Sequence, residues 1–448
     1  MGESQRSLWR GWLTLALSLS ITGLAVWQQD RIPAWARPWT VWNAAPAANQ
    51  LDSLVSVTLD LPVQDTVMPV IPDGVASLPR FCAALQRLRS GTGKVRIAYF
   101  GDSMIEGDLI TLTIRRLLQA EFGGAGVGFV GMAPREPGFR QSVRQEVTGL
   151  WQPYSILTGR TALPTAISGE GWKLGAQGSG FRFTGTRSYP GSNAFRKVRL
   201  LYGPSQTPDS LEYLVVSRND TTDTLSITGE RILNEISLIP EPVGKFGLKI
   251  FSEARRPWYG VSLEDWTGIY LDNFALRGNT GLQLSILPDS VLRAFQQTLS
   301  YDLVVLQFGV NLTQADRTDY RGYEQAMTRV IAYLKNNLPG ADFLIIGVSD
   351  KSTRVDGRMT TDPSIPYILE AQRRAAEANG CAFFNLFEAM GGKNTMVRWV
   401  EQKPILANKD YTHPNFRGAD TLGQILFNHL MERCATQPSV PDTAMAMP

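Results

Sequence analysis

Short apolar runs alternate with amphipathic segments near both ends of the chain. Residues 94–101 form an apolar run that ends in glycine, and leucine and isoleucine recur at helical spacing over 108–122. The later part of the chain repeats this alternation, with predicted strands at 301–308, 342–348 and 381–387 and predicted helices at 320–338, 366–379 and 417–434. Almost wholly apolar strands between helices indicate an α/β domain, in which helices cover both faces of a parallel sheet in three α/β/α layers.

The middle of the chain follows a different pattern. Between 145 and 265 the apolar runs are short, alternate with polar residues and are separated by Gly, Pro, Asn and Asp. The predicted strands lie at 197–202, 211–217, 223–228, 234–239 and 247–252. This pattern predicts an antiparallel β-sandwich inserted into a loop of the α/β domain, whose two parts are then 76–144 and 266–435.

The N-terminal residues have the pattern of an export signal. The run 11–27 carries no charge and follows two arginines, an order that predicts a secretory signal or an anchor with its N-terminus in the cytoplasm. We expect residues 1–31 to be an uncleaved anchor in the inner membrane, with the catalytic body in the periplasm; cleavage after Ala36 would instead give a secreted protein. Residues 32–75 are a predicted linker, and 436–448 a predicted disordered tail.

Composition narrows the available chemistry. The 448 residues include only two histidines, His413 and His429, which excludes a site built from three histidines. The three cysteines, Cys82, Cys381 and Cys434, form no CxxC pair, so we expect no metal site, and one disulfide of unassigned pairing can form in an oxidising compartment. The net charge of +3 gives no indication of nucleic-acid binding.

A serine follows the first predicted strand. The strand runs into Gly101-Asp102-Ser103, and α/β proteins bind ligands at the carboxyl ends of their parallel strands. The amides at the start of the next helix can stabilise a developing anion. Ser103 is therefore a candidate nucleophile, although Asp and Ser are also favoured as simple helix caps.

A serine nucleophile needs a base, and only the two histidines can take this role. His413 ends the segment Asp410-Tyr411-Thr412-His413 before the last predicted helix, and an acid three residues earlier can hold the imidazole in one tautomer. His429 falls inside that helix, where packing or solvent exposure is expected. We predict that His413 is the base and that Asp410 orients it.

Two further segments offer hydrogen-bond donors for an oxyanion. One is Phe308-Gly309-Val310-Asn311 at the end of a predicted strand, where the glycine permits close backbone approach and the Asn311 amide can donate. The other is Arg277-Gly278-Asn279 after the apolar stretch 266–276, where a backbone N–H is a candidate donor. Each of these segments, taken alone, is also typical of a simple turn.

The four segments together, in this order, resemble the sequence blocks of the SGNH (GDSL-type) hydrolase family. The first block matches Gly101-Asp102-Ser103, and the last block, DxxH, matches Asp410 to His413. The glycine block matches Gly278 best, and the GxND block matches Gly309 to Asn311, except that Leu312 replaces its acid.

This resemblance implies a serine esterase with Ser103, His413 and Asp410 as catalytic triad. It also implies an oxyanion hole made by the Ser103 amide, Gly278 and Asn311. The β insert makes the chain similar to periplasmic peptidoglycan O-acetylesterases within that family. The implied reaction is the removal of O-acetyl groups from an O-acetylated polysaccharide or peptidoglycan through an acetyl-Ser103 intermediate.

Two other functions fit the same residues. An O-acetyltransferase would pass the acetyl group from Ser103 to a sugar, and a membrane partner would supply that group. A carbohydrate-binding protein with a decayed site is the other alternative. No cofactor is expected, because the glycine-rich run 126–131 follows a helix and does not open one, as a dinucleotide motif must.

Overall fold

A computed structural model describes residue 73 and the stretches 76–133, 139–187, 189–207, 211–219 and 221–435. The expected anchor at 1–31, nearly all of the linker at 32–75 and the tail at 436–448 lie outside these residues. Within the described stretches, no helix combines the length and the apolar character needed to cross a membrane.

The described residues form eighteen strands and eight α-helices. The strands are β1 (Lys94–Gly101), β2 (Gly128–Gly131), β3 (Arg144–Thr148), β4 (Trp151–Ser155), β5 (Glu170–Leu174), β6 (Ser179–Thr184), β7 (Lys197–Tyr202), β8 (Glu212–Arg218), β9 (Thr221–Ser226), β10 (Asn234–Ser237), β11 (Lys245–Ser252), β12 (Trp258–Glu264), β13 (Gly268–Ala275), β14 (Leu303–Gln307), β15 (Asp342–Ile346), β16 (Ser352–Val355), β17 (Arg358–Thr361) and β18 (Ala382–Phe384). The helices are α1 (Pro79–Arg89), α2 (Thr111–Phe122), α3 (Asp289–Leu299), α4 (Arg321–Asn337), α5 (Ile365–Glu377), α6 (Leu386–Ala389), α7 (Thr395–Glu401) and α8 (Phe416–Ala435).

Five strands form a parallel sheet in the order β13-β1-β14-β15-β18. The α/β domain predicted from the apolar runs is therefore present. Every residue of β14 is buried, as expected for a strand covered on both faces. β1 is the first strand of this sheet in the sequence, and it lies inside the sheet. The next strand, β13, is added on one side of β1, and β14, β15 and β18 are added on the other. The direction in which strands are added therefore reverses at β1, next to β14. The carboxyl ends of those two strands border the crevice where sheets of this type bind ligands.

Two antiparallel sheets make up the inserted part. One has the order β10-β7-β12-β5-β4 with β2 also paired to β12, and the other has the order β3-β6-β11-β8-β9. Aromatic side chains pack in their shared core, and the rings of Phe183 and Phe246 stack with their centroids 5.3 Å apart. Antiparallel pairing begins at Gly128, earlier than the predicted start at 145, because the glycine-rich run contributes strand β2.

The helix predicted over 108–122 starts later than expected. A 3-10 turn spans Ser103–Asp108, and α2 begins only after it. Asp108 has a φ of 68°, in the left-handed region, which interrupts the helix. Its buried carboxylate accepts hydrogen bonds from Arg115 Nη1 (3.1 Å) and Arg140 Nε (2.8 Å). The contact with Arg115 on α2 stabilises the left-handed backbone at Asp108. The contact with Arg140 connects the 3-10 turn to the inserted part.

A buried ionic network joins the insert to the parallel sheet. Arg96 on β1 donates to Asp272 on β13 (Nε, 2.7 Å) and to Glu264 on β12 (Nη1, 2.8 Å). Glu264 also accepts from Lys94 at 2.6 Å and from Arg199. Burial raises the pKa of the Glu264 carboxyl, but the three cations outweigh this effect and hold the pKa well below its usual range.

A disulfide joins Cys82 on α1 to Cys434 on α8, with the two Cα atoms 5.1 Å apart. The sequence left this pairing open. Cys381 is the free thiol among the described cysteines, and burial raises the pKa of this thiol to about 11. The bond therefore closes the α/β domain by linking its first described helix to its last.

Candidate active site

The candidate residues meet at the carboxyl edge of the parallel sheet. Ser103 follows β1 and Asn311 follows β14, so both border the crevice where the strand order reverses. Gly278 follows β13, the neighbour of β1 on its other side. The segment from Asp410 to His413 comes just before α8. The fold thus brings together residues that lie up to 310 positions apart in the chain.

Three side chains form a continuous chain of hydrogen bonds. Ser103 Oγ lies 2.8 Å from His413 Nε2, and His413 Nδ1 lies 2.7 Å from Asp410 Oδ2. The other carboxylate oxygen of Asp410 accepts from the backbone N–H groups of Thr412 and His413, each at 3.0 Å. This is the geometry in which a serine transfers its proton to an imidazole that a carboxylate holds in one tautomer.

The surroundings of Asp410 favour its ionised form. Partial burial raises the pKa of this carboxyl, but the hydrogen bonds from the His413 side chain and from the Thr412 and His413 backbones lower it to about 2. Asp410 is therefore a carboxylate at neutral pH. It can accept the Nδ1–H of His413 and stabilise the imidazolium that forms when Ser103 loses its proton.

Asp102, the residue before Ser103, is fully buried. Its Oδ1 accepts from the Met104 N–H at 3.0 Å and so caps the 3-10 turn that carries Ser103. Burial raises the pKa of the Asp102 carboxyl to about 7, although the Met104 N–H and the nearby His413 lower it. The sequence predicted no role for Asp102 beyond its place in the motif, because its burial depends on the packing of distant segments.

Asn311 uses both hydrogens of its side-chain amide within the protein. Its Nδ2 donates to Asp102 Oδ2 at 3.2 Å and to the Asn279 carbonyl oxygen at 3.1 Å. An amide nitrogen has two N–H donors. Asn311 thus lies beside Ser103, as expected of an oxyanion donor, but it must release one of these acceptors before it can bind an oxyanion.

The Gly278 turn lies directly against the nucleophile segment. The Leu276 N–H donates to the Gly101 carbonyl oxygen at 2.9 Å, and the Asn279 carbonyl accepts from Asn311. Gly278 has a φ of 81°, a conformation that side chains with a Cβ rarely adopt, and a Cβ there would meet no atom within 4 Å. The backbone conformation, and not lack of space, therefore requires glycine.

His429, the other histidine, packs away from these residues. Its Nε2 accepts from Arg433 Nε at 2.7 Å, and its ring lies 4.0 Å from that of Phe384, measured between centroids. Burial and the neighbouring Arg433 lower the pKa of His429 to about 3. It is a neutral packing residue. No group of three His, Cys, Asp or Glu side chains within the described stretches is arranged to hold a metal ion.

A cleft of about 790 Å³ lies between the parallel sheet and the insert, and its lining includes Arg277, the neighbour of Gly278 in the chain. It begins at the ion pair between Arg277 and Glu106, whose Nη2 and Oε2 atoms are 2.6 Å apart. Its walls carry both aromatic and charged side chains, including Phe139, Arg144, Trp172 and Arg187. The space is large enough for a substrate that extends well beyond an acetyl group.

Comparisons with known proteins show a family and a fold that this chain resembles. Residues 247–420 match the GDSL-like lipase/acylhydrolase family, and no curated protein matches the chain in sequence. A solved peptidoglycan O-acetylesterase is similar over 80% of this chain and 97% of its own, with 23% identity and a TM-score of 0.66. A family two carbohydrate esterase from Cellvibrio japonicus matches 66% of this chain and 98% of its own, with 11% identity and a TM-score of 0.27.

The family match covers the later part of the α/β domain. The matched residues run from β11 into α8 and include Asn311, Asp410 and His413, whereas Ser103 precedes them. The family match over residues 247–420, together with this fold, supports an SGNH/GDSL-type hydrolase. The protein is an enzyme that acts on ester bonds.

Proposed function

We propose that this enzyme is a serine-dependent carbohydrate O-acetylesterase that acts on an O-acetylated cell-envelope glycan such as peptidoglycan. The observation that carries the proposal is the hydrogen-bonded chain Ser103–His413–Asp410 at the edge of the sheet. The fold shared with a peptidoglycan O-acetylesterase supports the substrate class. The cleft that reaches Arg277 supports it further, because a polymer needs room beyond the acetyl ester.

The reaction begins when Ser103 Oγ attacks the acetyl carbonyl carbon while its proton passes to His413 Nε2. The carbonyl oxygen becomes an oxyanion, which the Ser103 and Gly278 backbone N–H groups and the Asn311 amide stabilise. Asn311 contributes once it releases Asp102 or the Asn279 carbonyl. His413 then returns its proton to the departing sugar oxygen, the carbon–oxygen bond to the sugar breaks, and acetyl-Ser103 remains.

Water completes the cycle. His413 removes a proton from a water molecule, which attacks the acetyl carbon and forms a second oxyanion. The bond to Ser103 Oγ breaks, Oγ regains its proton from His413, and acetate leaves. Asp410 remains ionised throughout and holds the imidazole in place.

The disulfide supports a location outside the cytoplasm. Disulfides persist in oxidising compartments, and Cys82–Cys434 joins two helices of the catalytic domain. Together with the apolar run at 11–27, this favours a body held at the outer face of the inner membrane. Protease added to spheroplasts should degrade the body while a cytoplasmic marker survives; protection of both would contradict this location.

Acetate release tests the function. The full-length protein, purified in detergent, is incubated with O-acetylated peptidoglycan, and free acetate is measured. We expect Ser103→Ala to lower the rate by about 10³-fold or more, because the nucleophile is lost. Ser290→Ala, the same change on the exposed face of α3, should leave the rate unchanged. Equal rates for Ser103→Ala and the wild type would contradict the proposal.

The same triad also suits an O-acetyltransferase, in which a sugar hydroxyl replaces water and a membrane partner supplies the acetyl group. A second reaction separates the two functions: an acetyl donor is added together with unacetylated glycan, and glycan-bound acetyl is measured. Serine-dependent acetate release with no new glycan-bound acetyl supports the esterase. Serine-dependent acetylation of the glycan would contradict it and favour the transferase.

A further inference from the structure

Lys351 lies directly behind the Asn311 segment and takes no part in the reaction described above. It belongs to the segment between β15 and β16. Its Nζ donates to the Val310 carbonyl oxygen at 3.1 Å and to the Thr313 hydroxyl at 2.7 Å. The Thr313 hydroxyl also donates to the Val310 carbonyl at 3.1 Å. These three groups form a closed triangle that immediately adjoins Asn311.

Ser352, the residue that follows Lys351, contacts the segment from Asp410 to His413. The Ser352 N–H donates to the carbonyl oxygen of Tyr411 at 2.9 Å. Tyr411 lies between Asp410 and His413 in the chain and has a φ of 55°. Lys351 and Ser352 therefore connect two parts of the site. The Lys351 side chain binds the segment that contains Asn311, and the Ser352 backbone binds the segment from Asp410 to His413.

The Asn311 segment depends on such outside contacts. Besides the local bonds from the Leu312 N–H to the Gly309 carbonyl (2.9 Å) and from the Thr313 hydroxyl to the Val310 carbonyl, side chains from other parts of the chain hold its backbone. The Tyr320 hydroxyl donates to the Leu312 carbonyl at 2.9 Å, and Ser364 Oγ accepts from the Gln314 N–H at 3.1 Å. Lys351 supplies the charged contact, and a charge-assisted hydrogen bond is stronger than a neutral one.

The charge of Lys351 is also coupled to the site. The ammonium is half-buried, and burial lowers its pKa, while the carboxylates of Asp362, Asp102 and Asp410 raise it. Two of these three carboxylates, Asp102 and Asp410, belong to the site itself. The ammonium thus provides positive charge in a partly desolvated place close to where the reaction develops negative charge.

We propose that Lys351 is a positioning residue for the ester-bond reaction. It fixes the Val310–Asn311 turn relative to the triad segment, and its charge favours the oxyanion through space. This assignment rests on the proposed roles of Ser103 and Asn311. Both effects act on the transition state more than on the bound substrate, so the loss of Lys351 should lower kcat and leave KM nearly unchanged.

The test compares Lys351→Met, which keeps the length but removes the charge, with Lys351→Arg, which keeps the charge. We expect Lys351→Met to lower kcat by up to about 100-fold with KM within about twofold of the wild type. Lys351→Arg should recover a large part of that loss. Lys249→Met, the same change at an exposed position on β11, serves as the matched control and should have wild-type kinetics.

A wild-type kcat in Lys351→Met would overturn this inference, as would a loss of the same size in Lys351→Arg. If Lys351→Met shows no cooperative unfolding transition, Thr313→Val carries the test, because it removes two of the three hydrogen bonds of the triangle without a change in charge. We then expect kcat to fall by about 10-fold with an unchanged KM, and a wild-type kcat would overturn the inference. Ser103→Ala is assayed in parallel: activity in that variant would refute the proposed function itself.

Discussion

Asp102 and Asp410 are carboxylates of the same site, but their surroundings move their pKa values in opposite directions. Asp102 is fully buried, and burial raises its pKa to about 7. Asp410 is half exposed and accepts three hydrogen bonds, which lower its pKa to about 2. Asp410, which faces His413, is therefore charged at neutral pH, while the pKa of Asp102, the residue before Ser103, lies close to neutral pH.

The raised pKa of Asp102 predicts a pH-dependent stability. Between its ordinary pKa of 3.8 and about 7, the folded protein holds a proton on Asp102 that the unfolded chain has lost. The free energy of unfolding should therefore fall as the pH rises through this window. Asp102→Asn removes this contribution, so its stability relative to the wild type should increase from pH 4 to pH 7. Urea unfolding of both proteins measures their free energies of unfolding. A difference between the two that stays constant from pH 4 to pH 7 would contradict the raised pKa of Asp102.

Asp410→Asn tests the role of the triad carboxylate. An amide at this position would donate to His413 Nδ1 and favour the wrong imidazole tautomer, so we expect kcat to fall by about 10³- to 10⁴-fold. Ester hydrolysis assays measure the change. Asp289→Asn, at an exposed position on α3, should be neutral. A loss smaller than about tenfold would argue against Asp410 as the orienting group.

Among the site residues, those that belong to sequence motifs could be predicted, whereas those whose contacts depend on the packing of distant segments could not. The spacing of Asp410 and His413 is local and visible in the sequence. The contact between Asp102 and Asn311 joins residues 209 positions apart, and it exists because β1 and β14 pair in parallel. Lys351 belongs to no motif, and only the folded structure brings it to Val310.

Among the secondary-structure elements, long periodic segments were predicted well and interrupted ones were not. The strand at 94–101 has the predicted bounds, and α4 and α8 differ from theirs by one residue at each end. The strand predicted over 381–387 ends at Phe384, because the Asn385 side chain accepts from the Glu388 N–H and starts a short helix. Helix α1 was missed, although its apolar residues have helical spacing.

The disulfide between α1 and α8 should contribute strongly to stability. It closes a loop with a sequence separation of 352 residues, and the loss of a native disulfide typically costs about 2–5 kcal/mol. We expect Cys82→Ser and Cys434→Ser to lower the thermal unfolding temperature equally, and the double variant no further. A reducing agent should lower the unfolding temperature of the wild type to that of the variants. An unfolding temperature insensitive to reductant and to both substitutions would contradict the pairing.

For the whole molecule, the buried network around Arg96 and Glu264 makes the insert and the parallel sheet a single structural unit. Glu264→Gln leaves buried cations without their shared partner, and breaking such a pair costs about 3–5 kcal/mol. We expect a large loss in the free energy of unfolding with little change in kcat. The reason is that Arg96 lies near the start of β1, whereas Ser103 follows its end.

Glu235→Gln is the matched control for this prediction. Glu235 pairs with the same Arg199 at 2.6 Å, but its side chain is 46% exposed, and such a pair contributes less than about 1 kcal/mol. Denaturant unfolding should thus separate the two variants clearly. Equal losses in the two variants would show that the buried network does not join the insert to the sheet.

The overall architecture could be predicted because periodicity distinguishes strands buried on both faces from strands exposed on one. The parallel sheet and the antiparallel insert both follow from that distinction. The start of the insert could not be predicted, because β2 is a glycine-rich segment without alternation that pairs with β12 more than a hundred residues later. The pairing of Cys82 with Cys434 could not be predicted either, because it depends on the packing of α1 against α8.

The central claim is that Ser103 attacks the ester, and covalent labelling tests it most directly. A phosphonate ester that reacts with activated serines is added to the full-length protein, and mass spectrometry of its peptides locates the adduct. We predict one adduct on Ser103, none in Ser103→Ala, and much slower labelling in His413→Ala, because the base is missing. An adduct on another serine, or an unlabelled Ser103 in a protein that still releases acetate, would contradict the account.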